Sequence, residues 1–379
     1  MKIIEKIKEI GIIGSGDIIG GLVASFFWFF LASQIVPEEY GQIQWILGIA
    51  SIISYIGFFG GQNGLIVLIG KKIPIQSTIS LITISSGMIA IFIALLIIPQ
   101  FNKIEYGLIT FSFIINSLVI GDFLGRKQYS KYTKFLISQK ILMTILGILF
   151  YEILGVEGII IGIGLSYLIF LNQIIRNFTK IRVNFKLIKE NQNFLRDNYV
   201  MLLINGFHGQ IDKLIVAPLL GFYILGNYSL ALQILAIITI FPNILFKYLL
   251  SKESSNESNL NIKILGVLVA ILIATFGSIL LPIIFPIFFP KFDAVIEIIP
   301  VISFCAVPIS ISAIFESKLL NAMKSNYVLL GNILSLLLMS VGILVFGELI
   351  GIFGISMALM TSTILKCVIF FIGIKKIKY

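Results

Sequence analysis

Charge and reactive side chains are scarce in this sequence. Of its 379 residues only 12% are charged and 58% are hydrophobic, with one histidine and two cysteines. Soluble domains carry about 25% charged residues, so an ordinary soluble fold is excluded. A metal site needs a cluster of histidine, cysteine or carboxylate ligands, and we therefore expect no metal and no cofactor. Both cysteines lie in apolar segments and do not report on a redox compartment.

Two kinds of catalytic equipment are also missing. The sequence contains no G-x-x-x-x-G-K-[ST] phosphate loop, which excludes an ATP-driven motor within this chain. The loops predicted to face outward are too short to house the active site of a glycosyltransferase or polymerase. We therefore predict that the protein is not an enzyme.

Long uninterrupted apolar blocks take the place of these features. They run for about 20 residues or more, which is the length an α-helix needs to cross the hydrocarbon core of a bilayer. Membrane β-barrels show short alternating segments instead. The sequence thus predicts an all-α polytopic membrane protein with twelve spans, at residues 10–35, 42–69, 76–98, 104–124, 134–154, 157–178, 197–220, 224–249, 262–289, 294–316, 325–346 and 350–374.

The basic residues alternate along the chain and predict its orientation. Lysine and arginine concentrate at the N-terminus, in the even-numbered loops and at the C-terminus, whereas the odd-numbered loops hold only Lys103 and Lys291. Cytoplasmic loops of membrane proteins are enriched in these residues, so both termini are predicted to be cytoplasmic. The net charge of +10 is then mostly a topology signal, and we expect no nucleic-acid partner.

The chain also echoes itself. Residues 152–159 (EILGVEGI) and 348–355 (ELIGIFGI) share the pattern E-x-x-G-x-x-G-I, 196 residues apart. Residues 41–46 (GQIQWI) and 226–231 (GNYSLA) form a weaker pair, 185 residues apart. The echoes predict two parallel six-helix halves, 1–185 and 186–379, with a transport site between them. The alternative is chance similarity among helices rich in glycine and isoleucine.

Polar residues inside the spans are candidate functional residues, because charge near the membrane midplane is costly. Asn205, His208 and Asp212 are spaced i, i+3, i+7 and would share one face of a continuous helix. Lys213 would point about 100° away and snorkel outward. We interpret the stripe as the lining of an aqueous cavity in which His208 or Asp212 changes protonation. The alternative is an interhelical polar clamp that holds the bundle together.

The first span carries a second intramembrane acid. In GIIGSGDIIGGLVAS, Gly14, Gly21 and Ser25 fall close to one face, where small residues allow a neighbouring helix to approach. Asp17 lies about 10–12 Å in from the predicted cytoplasmic end, too deep for its short side chain to snorkel easily.

At this point the sequence resembles a known family. IIGSGDIIGGLVASFFWFFLASQIVPEEYGQIQWILGIASIIS resembles the start of polysaccharide exporters and Wzx-type lipid-linked oligosaccharide flippases of the MATE-like (MOP) superfamily. GQIDKLIVAPLLGFYILGNYSLAL is similar to the family's I-D-[KR]…G-x-Y-S-L-A stretch, with Asp212 and Lys213 on its D-[KR] pair and Gly226 and Tyr228 on its G-x-Y. GVEGIIIGIGLS and GIFGISMALMTS resemble its final spans. The chain is shorter than most members.

The resemblance implies a fold and a function. The fold would be the MATE-like bundle of two six-helix halves around a central cavity, in the cytoplasmic membrane. The protein would flip a polyprenyl-(pyro)phosphate-linked oligosaccharide to the outer leaflet by alternating access, with glycan-assembly proteins as candidate partners. Lys140, Arg176 and Lys213 are the candidates for binding the phosphate. A coupling ion, H⁺ or Na⁺, would act at Asp17 or at Asp212 and His208.

Two other functions remain open from the sequence. A MATE-type exporter of organic cations would share the fold, and intramembrane acids suit a cation as well as lysines suit a phosphate. A membrane-embedded glycan polymerase is a different class, but it would need a large outward loop, and none is visible.

Overall fold

The computed structural model describes residues 2–98, 103–180, 182–240, 242, 260–322 and 324–376. Across these ranges the chain forms α-helices joined by short turns, and no strand occurs in them. The helices are α1 (Lys2–Gln34), α2 (Pro37–Gly57), α3 (Gly61–Gly70), α4 (Gln76–Ile97), α5 (Ile104–Gly125), α6 (Tyr129–Leu154), α7 (Val156–Leu168), α8 (Leu171–Lys180), α9 (Phe185–Glu190), α10 (Gln192–His208), α11 (Ile211–Ile238), α12 (Leu260–Phe288), α13 (Ala294–Asn321) and α14 (Ser325–Lys375).

These helices form two compact units. Unit 1 takes the described residues of Met1–Phe27 and Ile46–Gln210, and unit 2 takes those of Trp28–Trp45 and Ile211–Tyr379. The ends of α1 and α2 that meet at residues 35–36 therefore belong to unit 2. The division into halves at 185/186 stays a prediction.

The helices are long and apolar enough for a multi-pass membrane protein. Within the described ranges, nine helical stretches could span a bilayer, or ten if α2 and α3, bent by 46°, form one span. Two of the nine are too long for one crossing: Gln192–Ile238 has 47 residues and Ser325–Lys375 has 51. At about 1.5 Å per residue each is long enough for two crossings. If α2 and α3 count as one span, dividing each of these two stretches in two gives twelve, the predicted number.

Glycines mark where the long stretches divide. Gly221 interrupts α11 with φ 87° and ψ 170°, and Gly351 interrupts α14 with φ 58°. L-residues with a side chain rarely adopt such angles, whereas glycine does so readily. The end of the eighth predicted span, residues 243–249, and the polar loop at 250–259 lie outside the described residues.

The E-x-x-G-x-x-G-I echo corresponds to the same turn in each unit. Gly155, between α6 and α7, has φ 67° and ψ −147°. Gly351, at the equivalent position of α14, has φ 58° and ψ −136°. The shared motif therefore encodes one helix-hairpin geometry twice.

The helices of both hairpins also touch at equivalent points. A Cβ added to Gly158 would overlap the carbonyl oxygen of Phe150, and a Cβ added to Gly354 would overlap that of Phe346. Both contacts join residues eight apart across the turn. The second glycine of the echo is thus required by close backbone packing.

A third contact is repeated with the small residue moved to the other helix. In the first hairpin, a Cβ on Gly162 would lie 2.5 Å from the carbonyl oxygen of Leu146. In the second hairpin, the position equivalent to Leu146 is Gly342, and its added Cβ would lie 2.8 Å from the Cβ of Ala358. In each hairpin a glycine on one of the two helices therefore allows the close approach.

The weaker echo marks a helix crossing inside unit 2. Here α2 and the second segment of α11 meet backbone to backbone at Gly41 and Gly226. An added Cβ on Gly41 would lie 2.8 Å from the Gly226 nitrogen, and one on Gly226 would lie 3.1 Å from the Gly41 nitrogen. The same two additions would overlap the carbonyls of Phe222 and Pro37, respectively. Both members of each pair, Gly41 with Gly226 and Pro37 with Phe222, are 185 residues apart, so the contact is symmetric.

The two lysines of the odd-numbered loops are both engaged. Lys103 pairs with Glu157, and their hydrogen bond raises the pKa of the Lys103 ammonium above its ordinary value. Lys291 donates to the Gln34 carbonyl oxygen at 3.1 Å. Each of these two exceptions to the charge pattern therefore has a hydrogen-bond partner in the fold.

Substitution of the crossing glycine tests this packing. We expect Gly226→Ala to lower the stability by about 1–3 kcal/mol or more, because the new methyl meets backbone that cannot rotate away. Gly21→Ala is the control: nothing described lies within 4 Å of its added Cβ, and alanine favours a helix by up to about 1 kcal/mol. Thermal unfolding in detergent measures both. Equal melting temperatures for the two variants would contradict the crossing.

Candidate functional site

The polar segment at residues 205–213 is divided between two helices. Helix α10 ends at His208, Gly209 and Gln210 form a turn, and α11 begins at Ile211. The continuous helix expected across these residues is thus interrupted by a two-residue turn, and a shared face for Asn205, His208 and Asp212 stays a prediction. Asn205 and His208 belong to unit 1 and Asp212 belongs to unit 2, so a common cavity for the three stays a prediction.

Asp212 is placed by the start of α11. It lies in the first turn, where the positive end of the helix dipole favours a carboxylate. Its Oδ1 accepts a hydrogen bond from the backbone N–H of Lys213 at 2.8 Å. The side chain is only 5% exposed. The helix break thus buries an acid and gives it backbone support, a stabilisation that a mid-helix position would lack.

The Tyr228 phenol connects this acid to a buried thiol in unit 2. The phenol of Tyr228 lies within electrostatic range of Asp212 and of the Cys305 thiol, and all three side chains are buried. This places the resemblance-derived Asp212 and Tyr228 next to each other, 16 positions apart along α11. An acid, a phenol and a thiol can together hold or pass a proton.

Several neighbouring side chains have unused hydrogen-bonding capacity. The Asn227 Oδ1, Ser229 Oγ and Ser303 Oγ are buried and have no hydrogen-bond partner among the residues that the structure describes. Asn227 and Ser229 flank Tyr228, and Ser303 lies two positions before Cys305. Buried polar atoms are normally satisfied, so each of these three atoms suits an ordered water molecule.

A second acid in unit 2 faces a lysine that sequence reasoning missed. Glu316 on α13 and Lys366 on α14 lie within electrostatic range of each other, and both are partly buried. The Lys366 Nζ also lies 5.4 Å from the centre of the Phe370 ring, a cation–π distance. The available signal was a single lysine in the apolar run 350–374.

In unit 1, α1 packs on α6 through glycines other than the predicted ones. An added Cβ on Gly16 would lie 2.9 Å from Thr133, and one on Gly20 would lie 3.1 Å from Leu136. Among the described residues nothing lies within 4 Å of a Cβ added to Gly14 or Gly21. A helix does approach α1 closely at glycines, as predicted. The glycines that make this contact lie on nearly the opposite face of α1 from Gly14 and Gly21.

This contact positions Asp17. The hydroxyl of Tyr132 on α6 donates to Asp17 Oδ1 at 2.8 Å. Lys140 lies two turns further along α6, against Gly20, and its Nζ is 5.9 Å from the centre of the Tyr167 ring. The predicted coupling acid and one predicted phosphate ligand therefore lie along the same helix pair.

The remaining predicted residues are more dispersed. Arg176 is exposed on α8, Asn205 is exposed on α10, and His208 and Lys213 are half-buried. The three candidate phosphate ligands, Lys140, Arg176 and Lys213, lie on three different helices.

A polar network at the ends of α5 and α8 was not predicted as a unit. Arg126 binds Asp122 at 2.7 Å through Nε and the Asn177 side chain at 2.8 Å through Nη2. Gln173 donates to the second oxygen of Asp122 at 2.8 Å, and Ser77 donates to the Asn177 carbonyl at 2.9 Å. The i, i+4 spacing of Asp122 and Arg126 is the sequence signal that could have found this pair.

Comparison with known proteins identifies the fold. The sequence matches no known family profile and no curated protein. Among solved structures it is similar to the lipid II flippase MurJ in an inward closed conformation, with a TM-score of 0.79, 12% identity, and coverage of 96% of this chain and 87% of the other. An inward-facing multidrug resistance MATE family transporter of the MOP superfamily is similar with a TM-score of 0.68 and 12% identity, and the match covers 94% of this chain and 94% of the other. A MOP superfamily transporter from Pyrococcus furiosus is similar with a TM-score of 0.63 and 12% identity, and the match covers 97% of this chain and 95% of the other.

At this identity the likeness shows the fold alone. The chain has the helical fold of MOP-superfamily transporters, and the predicted all-α, MATE-like membrane architecture is confirmed. The placement of both termini in the cytoplasm stays a prediction.

The hydrogen bond between Tyr132 and Asp17 can be measured by a double-mutant cycle. We expect Tyr132→Phe to cost about 1.5–3 kcal/mol, since a hydrogen bond to a charged group is lost. Tyr132→Phe should cost much less in the Asp17→Asn background, which gives a coupling energy of at least about 0.5 kcal/mol. Thermal unfolding of the four proteins in one detergent measures the cycle. Strict additivity would contradict the contact.

Proposed function

We propose that the protein flips a polyprenyl-(pyro)phosphate-linked oligosaccharide from the cytoplasmic to the outer leaflet of the cytoplasmic membrane. The observation that carries the proposal is the fold, which is similar over 96% of the chain to a lipid II flippase. A lipid-linked sugar joins an apolar tail to a polar head. The tail can stay in the bilayer while the head crosses through a hydrated cleft.

Particular residues take particular roles in this proposal. Lys140, Arg176 and Lys213 are the candidates to meet the phosphate groups, because cations bind phosphate oxygens through charge-assisted hydrogen bonds. Lys140 is the best supported of the three: it is half-buried on a spanning helix, and aromatic contact with Tyr167 positions its ammonium.

Transport requires two states whose balance a coupling ion can shift. An ion changes this balance only by binding the two states with different affinity. Asp17, His208 and Asp212 are the proposed coupling groups, with Asn205 in the cavity lining and H⁺ or Na⁺ as the ion. Asp212 has the strongest support, because it is buried at the start of α11 and lies within electrostatic range of the buried Tyr228 phenol.

Export of organic cations is the second candidate. The fold is also similar to that of a multidrug MATE transporter, and a buried Asp212 suits a cation. Against this reading, Lys213 follows Asp212 directly, and Lys366 lies within electrostatic range of Glu316. An acid with a lysine beside it attracts a further cation less strongly. We therefore favour the anionic lipid-linked substrate.

Flipping in proteoliposomes tests the proposal. The protein is reconstituted with a fluorescent polyprenyl-pyrophosphate sugar, and exposure of the label to a membrane-impermeant quencher is followed with and without a pH gradient. We expect protein-dependent translocation that changes with the gradient. Uptake of a cationic dye without lipid translocation would support the cation exporter instead.

Neutralising Asp212 tests its coupling role in the same vesicles. We expect Asp212→Asn to insert normally but to lower the gradient-driven rate about tenfold, the effect of about 1.4 kcal/mol of lost coupling. Asp293→Asn is the matched control, since it also removes one carboxylate but caps α13 as an amide can. Unchanged flipping by Asp212→Asn would exclude the coupling role.

A further inference from the structure

Two helices of unit 1 end side by side in the same motif. Helix α3 ends with Gly70 followed by Lys71 and Lys72, and α5 ends with Gly125 followed by Arg126 and Lys127. A Cβ on Gly70 would lie 3.9 Å from the Gly125 carbonyl, so the two ends are in contact.

Each end is closed by the same backbone turn. Lys72 and Lys127 adopt left-handed conformations, with φ of 62° and 58°. The next residues, Ile73 and Gln128, donate back to the carbonyls five positions earlier at 3.1 and 2.9 Å. This is the hydrogen-bond pattern of a Schellman cap. The turns place two exposed lysines at matched positions on adjacent helix ends.

A cavity of about 480 Å³ lies between these ends and the start of α4. Its lining includes three cationic residues, Lys72, Arg126 and Lys127, and no acidic residue. Arg126 is held in place by Asp122 and Asn177, and that pairing balances its charge. The two lysines leave the cavity with a net positive charge.

The start of α4 adds backbone donors. Pro74 and Gln76 line the cavity, and α4 begins at Gln76. Among the described residues, the first amide of α4 with a backbone acceptor in the α-helical pattern is that of Ile79, which donates to the Ile75 carbonyl oxygen at 2.9 Å. The amides before it follow the usual rule that helix N-termini present unpaired N–H groups and the positive end of a dipole. An anion is the ligand that such an end accepts.

Gln76 provides a separate indication of a ligand. The side chain is only 7% exposed and lines the cavity, yet its Oε1 has no hydrogen-bond partner among the described residues. An amide oxygen accepts hydrogen bonds, so it cannot bind the acceptor oxygens of a phosphate itself. It fits a ligand that carries a hydroxyl or ammonium donor close to its anionic group.

We propose that this cavity binds the headgroup of an anionic phospholipid, with the phosphodiester on Lys72, Lys127 and the start of α4, and a headgroup hydroxyl on Gln76. The volume lies in the range of small-ligand sites and suits a headgroup rather than an oligosaccharide. The helix ends put the site at the level of lipid headgroups. By the distribution of basic residues, this is the cytoplasmic face, where anionic lipids attract lysine and arginine. The site does not depend on the proposed transport function.

Native mass spectrometry with added lipid tests the site. We expect the delipidated protein to bind phosphatidylglycerol more tightly than phosphatidylcholine. Lys72→Asn combined with Lys127→Asn should weaken phosphatidylglycerol binding about tenfold or more. Asparagine tolerates the left-handed backbone, so the turns are kept. Lys72→Arg combined with Lys127→Arg should retain binding, which separates lost charge from lost folding.

The control removes two lysines that do not line the cavity. Lys131 and Lys134 are exposed at the start of α6, on the same predicted face. Their double asparagine variant should bind phosphatidylglycerol like the parent protein. Equal weakening by both double variants would overturn the site. Soluble glycerol phosphate should not compete at concentrations that saturate the lipid, and efficient competition would overturn the lipid as its occupant.

Discussion

Backbone touches backbone where α2 crosses the second segment of α11, and much of the architecture follows from this contact. Lipid tails are as apolar as leucine, so burial from water does not drive helices together inside a bilayer. Close van der Waals packing does, and it requires small residues at the crossing. Gly41 and Gly226 meet this requirement from both sides, each against the chain four residues before the other.

The symmetry of this crossing agrees with the rest of the repeat. The hairpins at Gly155 and Gly351 have nearly the same backbone angles and equivalent contacts, although at one crossing the small residue has moved to the opposite helix. Packing glycines therefore recur because each hairpin needs the same close approach.

The polar residues do not follow the repeat. At the spacing of 196 residues, Lys140 corresponds to Leu336, and Lys366 corresponds to Phe170. Groups that serve only to hold a fold together would be expected in both copies, as the glycines are. Intramembrane lysines that occur in one copy alone are costly for folding. Their presence supports an asymmetric task, such as holding a charged substrate.

Helix positions were largely predictable, because apolar length and charge alternation are local signals. The predicted spans fall mainly on helix where the structure describes them, but short turns at residues 58–60, 169–170 and 209–210 interrupt three of them. The faces of the helices were less predictable. The turn at Gly209 and Gln210 carries little periodic signal, and it separates Asp212 from His208.

Contacts between distant residues were out of reach of the sequence. Spacing in α1 does not tell which glycines meet α6. The sequence predicts close approach at Gly14 and Gly21, whereas Gly16 and Gly20 make the contact. Nothing in the span that carries Asp17 points to Tyr132, which is 115 residues away. Candidate acids could therefore be found one by one, whereas their partners required the fold.

Substrate charge is the central claim, and ligand-induced stabilisation tests it directly. A ligand that binds only the native state stabilises it by an amount that grows with the logarithm of its concentration above the dissociation constant, and the melting temperature rises accordingly. The purified protein would be heated with a short-chain polyprenyl-pyrophosphate sugar, with the same lipid lacking phosphate, and with tetraphenylphosphonium. The account predicts a concentration-dependent rise in melting temperature with the pyrophosphate sugar alone. Stabilisation by tetraphenylphosphonium without an effect of the pyrophosphate sugar would contradict it.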